Sequence, residues 1–353
     1  MTPPFQPDLF SVSRPRWIQA SAQVDQLVRS MAKLLPAGFL VLSQPPEQIG
    51  ALEINSSNLR LTSQDGCQIV LKRYPETSNA VALHKTLGLM GWLADQRLPV
   101  PKPLAFANGA VSILHDGAHW ALFPFVDGDY FSGNEAELDA AAHVCGLLAS
   151  KLMEAPQCFQ PVQECHHLSL EDNNVIEFVQ NSRDLWRDLF EGEIADLLDA
   201  QWQGVWLEWR RVRENPIFPG PRDLAHLDLH PFNMLIKHGE IAALLDFDSC
   251  KMMPIGYALA FGAMKQCRQA VAHCGKAGRA PQIGSRYLEV LAAADHHVCN
   301  LTRNFADLAI AEVFRRIAII LRLNVQNFDR RWNSVLPIQI AHIAESKALF
   351  CVI

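Results

Sequence analysis

The chain has no run of eighteen apolar residues, no block of basic residues and no CxxC pair. Without a long apolar run, no helix can cross a bilayer. Without a basic block, and with a net charge of -6 and a pI near 6.1, it offers no footprint for a nucleic-acid backbone. The nine cysteines, an odd number scattered from Cys67 to Cys351, read as reduced thiols rather than a disulfide framework. The clusters "CHH" (Cys165, His166, His167) and "DHHVC" (His296, His297, Cys299) match no common zinc spacing. The N-terminus has three prolines in its first seven residues and no apolar core of signal-peptide length. Internal repeats and low-complexity segments are also missing. These absences lead to the expectation of a cytoplasmic protein that works on neither nucleic acid nor membrane. They say nothing about oligomeric state.

What is present suffices for two lobes. The chain has 353 residues, 49% of them apolar and 19% charged. A proline-rich arm runs to about residue 20, and "SAQVDQLVRSMAKLL" follows at helical spacing, with Ser21 as cap. "EQIGALEI", "NLRLTS" and "CQIVLKRY" read as strands, the last two joined by "QDG". "SNAVALHKTLGLMGWLADQR" is an amphipathic helix opened by Ser78 or Asn79, and "LPVPKPL" must be extended because each proline forbids helix before it. "AVSILHDGAHWALFPFV" is a second hairpin around Asp116-Gly117. From about 134 the pattern turns helical: "EAELDAAAHVCGLLASKLM", "NVIEFVQNSRDLWRDLF", "IADLLDAQWQGVWLEWRRVRE" and, later, "ADLAIAEVFRRIAIILRLNV". The reading is an α+β chain with an N-terminal arm and helix (1–36), a small β-rich N-lobe (37–126) and a larger, mostly helical C-lobe (127–353). That C-lobe carries a small β insert.

Two short runs in the insert carry chemistry: "HLDLHPFNML" (His226–Leu235) and "IAALLDFDSC" (Ile241–Cys250). Phosphoryl transfer from ATP needs a carboxylate to position the attacking hydroxyl and accept its proton. It also needs oxygen ligands for magnesium and a cation for the phosphates. Asp228 fits the first role, Asn233 and Asp246 the second, and Lys72 in "IVLKRY" the third. Apolar flanks that form short strands would hold these side chains rigidly.

H-x-D-x-x-x-x-N, then a strand and D-F-D, resembles the catalytic and magnesium loops of the protein-kinase-like superfamily. "HLDLHPFN" is similar to its small-molecule branch, the aminoglycoside phosphotransferase and choline kinase type. The resemblance runs from about residue 40 to 265 in the right order. It implies a two-lobe kinase-like fold, with ATP and Mg and a small-molecule hydroxyl as acceptor. It implies Asp228 as catalytic base, Asn233 and Asp246 as magnesium ligands and Lys72 as the phosphate lysine. His226 would brace the loop, His230 would lie near the substrate or the second carboxylate, and Asp248 would anchor its loop. "FPFVDG" resembles the hinge between lobes, with Phe123 as gatekeeper and the Pro124 carbonyl and Val126 N–H facing adenine. The phosphate-covering turn would be Asn55, Ser56, Ser57 and Asn58, with Ser57 among the nucleotide contacts.

Two features depart from the family pattern. The helix position that pairs a Glu with the strand lysine falls at Thr86, and no Glu occurs between Glu76 and Glu135. Lys72 then lacks its usual partner, or Glu76 or a group from elsewhere replaces it. The phosphate turn also lacks glycines, although Asn tolerates left-handed backbone. No A-P-E segment follows "DFD", which disfavours a protein substrate. A non-catalytic nucleotide-binding or regulatory protein is the rival reading, supported by the missing helix Glu; a nucleotidyl transferase is a third. Trp202, Trp206 and Trp209 have the spacing of core packing. The acids Glu191, Glu193, Asp196 and Asp199 read as a solvated helix face, or else as a site for a cationic substrate.

Overall fold

The structure is a computed structural model that describes Phe5 and residues 14–49, 57–74, 79–160, 180–181, 185–190, 192–215, 222–327, 330 and 332–350. The small lobe is a six-stranded antiparallel sheet in the order β1-β2-β3-β4-β6-β5. Its strands are β1 (Trp17–Gln19), β2 (Glu47–Ile49), β3 (Ser57–Thr62), β4 (Gln68–Tyr74), β5 (Ser112–His115) and β6 (Ala118–Pro124). The Asp-Gly turn between β5 and β6 has φ of 49° at Asp116 and 67° at Gly117. Two left-handed residues in a two-residue loop match the twist of the strands they join.

The N-terminal segment differs from its expectation. Trp17–Gln19 is not irregular but pairs with β2, Trp17 opposite Ile49. The helix after it, α1 (Ala22–Ser30), opens at Ser21, whose hydroxyl accepts the Val24 N–H. Val28, Met31 and Leu35 then join Leu59, Leu61, Leu71, Trp120 and Leu122 in one buried cluster. Each such side chain contributes about 1.5–3 kcal/mol of apolar burial. By packing, these residues sit with the small lobe. Of "EQIGALEI", only Glu47–Ile49 falls within the described residues.

Asn79 is the cap of α2 (Ala80–Asp95), accepting the Val81 and Ala82 N–H groups. The extended proline segment after it is stitched to the large lobe, where Leu244 N–H donates to the Pro99 carbonyl at 2.7 Å.

The large lobe holds α3 (Glu135–Met153), α4 (Glu193–Arg213), α5 (Ile255–Cys274), α6 (Ala280–Ala294), α7 (Phe305–Asn327) and α8 (Leu336–Phe350). Asn134 caps α3, its side chain accepting the Glu137 N–H at 3.0 Å, while Glu137 accepts the Ser132 N–H at 2.7 Å. On α4, Trp202 and Trp209 are buried and Trp206 packs against the same core; Trp209 stacks on Phe314 of α7 at 4.4 Å. Glu193, Asp196 and Asp199 are exposed, while Glu191 lies outside the described residues. Most of "NVIEFVQNSRDLWRDLF" also lies outside them, apart from a short helix at Trp186–Leu189. The β insert comprises β7 (Asp129–Tyr130), β9 (Met234–Lys237) and β10 (Glu240–Leu244) in one sheet. A separate pair is formed by β8 (Arg222–His226) and β11 (Cys250–Pro254). No described helix is long and apolar enough to cross a membrane.

Candidate active site

The two polar runs meet because the strands after and before them pair. In the β9–β10 hairpin, Met234 lies opposite Leu244. One step further, Leu245 N–H donates to the Asn233 carbonyl at 2.9 Å. Asn233 and Asp246 therefore leave the same end of one ladder. His226, at the end of β8, ties the loops again. Its Nδ1 accepts the Asp228 N–H at 3.2 Å, which leaves the proton on Nε2 to donate to the Leu245 carbonyl at 2.9 Å. Burial is the main reason its pKa lies below the ordinary 6.5, so the ring is neutral and both bonds persist. Gly262 of α5 allows the loop after β8 to pack closely: a Cβ there would stand 2.9 Å from the Leu229 Cβ.

Asp228 sits on the turn after β8 with a third of its side chain exposed. His230 Nε2 lies 3.4 Å from its Oδ2 and Arg316 Nη2 lies 3.8 Å from its Oδ1. Burial pushes its carboxyl up, but His230, Arg316 and His226 outweigh burial and hold it well below the usual carboxylate range. Asn233 spends its amide N–H on the Asp228 carbonyl at 2.9 Å. Its Oδ1 is thereby turned to the role of acceptor, the atom a hard cation would use.

Lys72 of β4 lies opposite Asn58 and Ala121 in the sheet and reaches across to the large lobe. Its Nζ is 3.2 Å from Asp246 Oδ1 and 2.6 Å from Asp248 Oδ2. Burial alone would lower its pKa; the two carboxylates reverse that and hold it charged. Lys72 also lies 5.0 Å over the Tyr74 ring. Asp246 has φ 62° and ψ 52°, a left-handed conformation that a non-glycine residue rarely adopts and that recurs at functional sites. Ser249 pins that turn, its hydroxyl donating to the Asp246 carbonyl at 3.0 Å. Burial and the adjacent Asp246 both push Asp248 up, against the pull of Lys72. Two carboxylates against one ammonium, with an amide oxygen on the linked strand, form a set of hard oxygen donors with negative charge to spare. That donor chemistry fits a magnesium ion.

The departure at Thr86 is met by groups from elsewhere. Thr86 lies on α2, Glu76 is outside the described residues, and the carboxylates on Lys72 come from the D-F-D run itself. At the hinge, Phe125 N–H donates to the Gln68 carbonyl at 3.3 Å, so the neighbouring Pro124 carbonyl turns away from β4. It faces the same edge as the Leu122 carbonyl, which accepts the Leu104 N–H at 2.8 Å. Phe123 is buried, and Val126 follows the end of β6. Ser57 opens β3 opposite Arg73; Asn55 and Ser56 lie outside the described residues. Cys165, His166 and His167 lie outside them too. Asp295, His296 and His297 bring ligand atoms within 4.8 Å of one another. Both Asp295 oxygens are already engaged, one by the His297 N–H and the other by Ser150.

The sequence reading missed Arg316 and the buried Glu312 that holds it at 2.9 Å. The signal was there: "AEVFRRIAII" puts one acid and two arginines into an otherwise apolar helical stretch, where charge persists only if it is paired or used.

The profile of the phosphotransferase enzyme family (APH) matches residues 47–292. Over 194 residues the chain is 27% identical to a homoserine kinase of Sinorhizobium fredii (strain NBRC 101917 / NGR234) and 26% identical to one of Rhizobium meliloti (strain 1021). Each match covers 55% of this chain and 55% of the relative, so the chain spans about half the length of the curated relatives it matches. Among solved structures it is similar to the amicoumacin kinase hAmiN in complex with AMP-PNP, Ca2+ and Ami (TM-score 0.61, 11% identity, 94% of this chain and 95% of the other). It is also similar to spectinomycin phosphotransferase with ADP and its antibiotic (0.60, 12%, 94% and 98%). A third is the choline kinase LicA of Streptococcus pneumoniae (0.56, 14%, 92% and 99%). At these identities the likeness is one of fold.

Proposed function

The chain belongs to the phosphotransferase enzyme family, and we propose that it transfers the γ-phosphate of ATP to a hydroxyl of a small molecule. The observation that carries this reading is the convergence of Lys72 with Asp246, 174 positions away in sequence, beside an Asp228–Asn233 loop tied to the same strand. Structural neighbours solved with AMP-PNP or ADP support a nucleotide in the cleft. The homoserine kinase relatives favour an amino acid hydroxyl among the acceptors.

In this reading Lys72 grips the phosphates and the Pro124 carbonyl and Val126 N–H take the adenine edge, with Ser57 beside the phosphates. Asn233 Oδ1 and Asp246 would hold magnesium, which neutralises charge on the phosphate oxygens when bound. Asp248 braces Lys72, and His226 fixes the loop geometry. Asp228 accepts a hydrogen bond from the acceptor hydroxyl. As the acceptor oxygen bonds to the γ-phosphorus and the bridging β–γ oxygen leaves with ADP, the hydroxyl proton passes to an Asp228 oxygen. A carboxylate held so acidic is a weak base, so its proton transfer comes late and its main contribution is orientation. His230 lies close enough to steady the same carboxylate. A protein substrate fits less well, because β11 runs from Cys250 to Pro254 and α5 begins at Ile255, leaving no activation segment.

The regulatory reading leaned on the missing helix carboxylate, and Asp246 and Asp248 supply Lys72 without one. The test is ADP release from magnesium-ATP with small alcohols, on wild type and Asp228→Asn. Acceptor-dependent ADP that the variant loses supports the transfer; pyrophosphate instead of ADP would point to nucleotidyl transfer, and neither product to a binder.

A further inference from the structure

Asp228 has a neighbour on a helix that shares no motif with it. Arg316 on α7 donates from Nη2 to the Leu227 carbonyl at 2.6 Å and stands 3.8 Å from Asp228 Oδ1. Its Nε donates to Glu312 at 2.9 Å, and its guanidinium carbon lies 4.0 Å from the Phe261 ring centroid. Glu312 is fully buried and also takes two bonds from Arg315, each 2.6 Å. One carboxylate thus serves two guanidiniums. Arg316 is fixed by these contacts yet keeps a quarter of its side chain open, next to the open third of Asp228. A guanidinium has five N–H donors; two are used here among the described residues, which leaves three.

His342 of α8 packs edge-on to the same Phe261 ring at 6.1 Å. It is fully buried, and neither ring nitrogen has a hydrogen-bond partner among the described residues. Burial first, then the charges of Lys265, Arg268 and Arg316, keep this ring neutral. Arg268 is answered by Glu345 at 2.9 Å, an acid that also receives the Phe5 N–H at 3.0 Å. Arg316 of α7 is therefore the cation that faces the space beside the candidate base. A cationic amino alcohol or aminoglycoside would meet like charge there, whereas an anionic group would be drawn in and oriented.

Resting on the phosphotransferase reading, we infer that the acceptor carries a compact oxyanion, a carboxylate or a phosphate, close to the hydroxyl it offers, and that Arg316 is the residue that recognises it. Bidentate capture by Arg316 would hold the oxyanion away from the like charge of Asp228 while presenting the hydroxyl to it.

The test uses matched pairs that differ by the anionic group: L-homoserine against 3-amino-1-propanol, L-serine against ethanolamine, and glycerol 3-phosphate against glycerol. Choline and kanamycin represent cationic acceptors. ADP release from magnesium-ATP should favour the anionic member of at least one pair by about tenfold or more in kcat/KM. Whether that pair holds a carboxylate or a phosphate identifies the oxyanion. Arg316→Gln, which keeps a donor for the Leu227 carbonyl, should bring the ratio close to one through a raised acceptor KM. Arg316→Lys should recover part of it. A mere positioning role would lower kcat for both members and leave their ratio alone. Preference for choline, kanamycin or the uncharged members would overturn the inference. So would silence of every anionic acceptor while magnesium-ATP still raises the melting temperature. Loss of that nucleotide shift would strike the phosphotransferase reading instead. An acid preference that survives Arg316→Gln would remove Arg316 as its source.

Discussion

Lys72 and Arg316 each set a cation against an aspartate of the site, but they are positioned in different ways. Lys72 stands on a strand whose register is locked on both sides, and its partners Asp246 and Asp248 lie two residues apart in one turn. Arg316 stands on a helix, is held by an acid one turn back, and meets Asp228 only because α7 meets the loop after β8. In the proposed function the nucleotide side is thus built from strand register and a tight turn, and the acceptor side from helix packing. Strands and turns can recur with fixed spacing, whereas helix packing would let the acceptor side differ between proteins that share them.

The largest effect that separates the two sides is on turnover. Asp228→Asn should lower kcat by about 10²–10⁴-fold, the usual range for a positioned base, with the nucleotide-induced melting shift retained. A variant that loses that shift would place Asp228 with Lys72 rather than with the acceptor. Next comes stability. Glu312→Gln leaves two guanidiniums without their shared carboxylate and should cost about 3–5 kcal/mol in urea unfolding, as for a broken buried ion pair. Lys72→Ala should change stability little, because its partners are more than a third exposed; it should instead raise the KM for ATP. Equal unfolding costs for the two would erase the contrast.

A smaller effect is set by pH. His226 and His342 both have pKa values below the ordinary 6.5 because they are buried. The unfolded chain takes up these protons first, so their contribution is complete above about pH 6.5 and is lost as the pH falls below it. The loss should approach about 1.4 kcal/mol per pH unit for each ring. Asp228, also depressed, acts in the same direction in a lower window, below its ordinary 3.8. Unfolding at pH 7, 6 and 5 checks this, and His226→Asn should make the decline shallower. A decline unchanged in that variant would mean that His226 is charged or exposed in solution. The smallest effect distinguishes the two acids on Lys72. Asp248→Asn should weaken nucleotide binding a few-fold by loosening Lys72, whereas Asp246→Asn should remove its magnesium dependence. The reverse order would exchange their roles.

The same contrast explains what the sequence made legible. The hairpins followed from Gln-Asp-Gly and Asp-Gly pairs, whose turns admit few geometries. The extent of α3 followed from the helical pattern of "EAELDAAAHVCGLLASKLM", and the polar cluster from fixed spacing in two runs. Trp17–Gln19 escaped because three strand residues beside prolines carry no period; the pairing with β2 decided them. Lys72's contact with Asp248 escaped because a lysine's reach across a cleft leaves no mark in spacing. Arg316 and Glu312 were visible as charges in an apolar helix, but their target was set by how α7 meets the loop after β8, which no local pattern encodes.

The central claim is that Asp246 belongs to a magnesium-dependent nucleotide site formed with Lys72 and Asn233. The most direct test is the melting temperature of wild type and Asp246→Asn with ATP, with and without magnesium. A magnesium-dependent rise in wild type that the variant loses is the predicted result. No rise in wild type, or the same rise in Asp246→Asn, would contradict it.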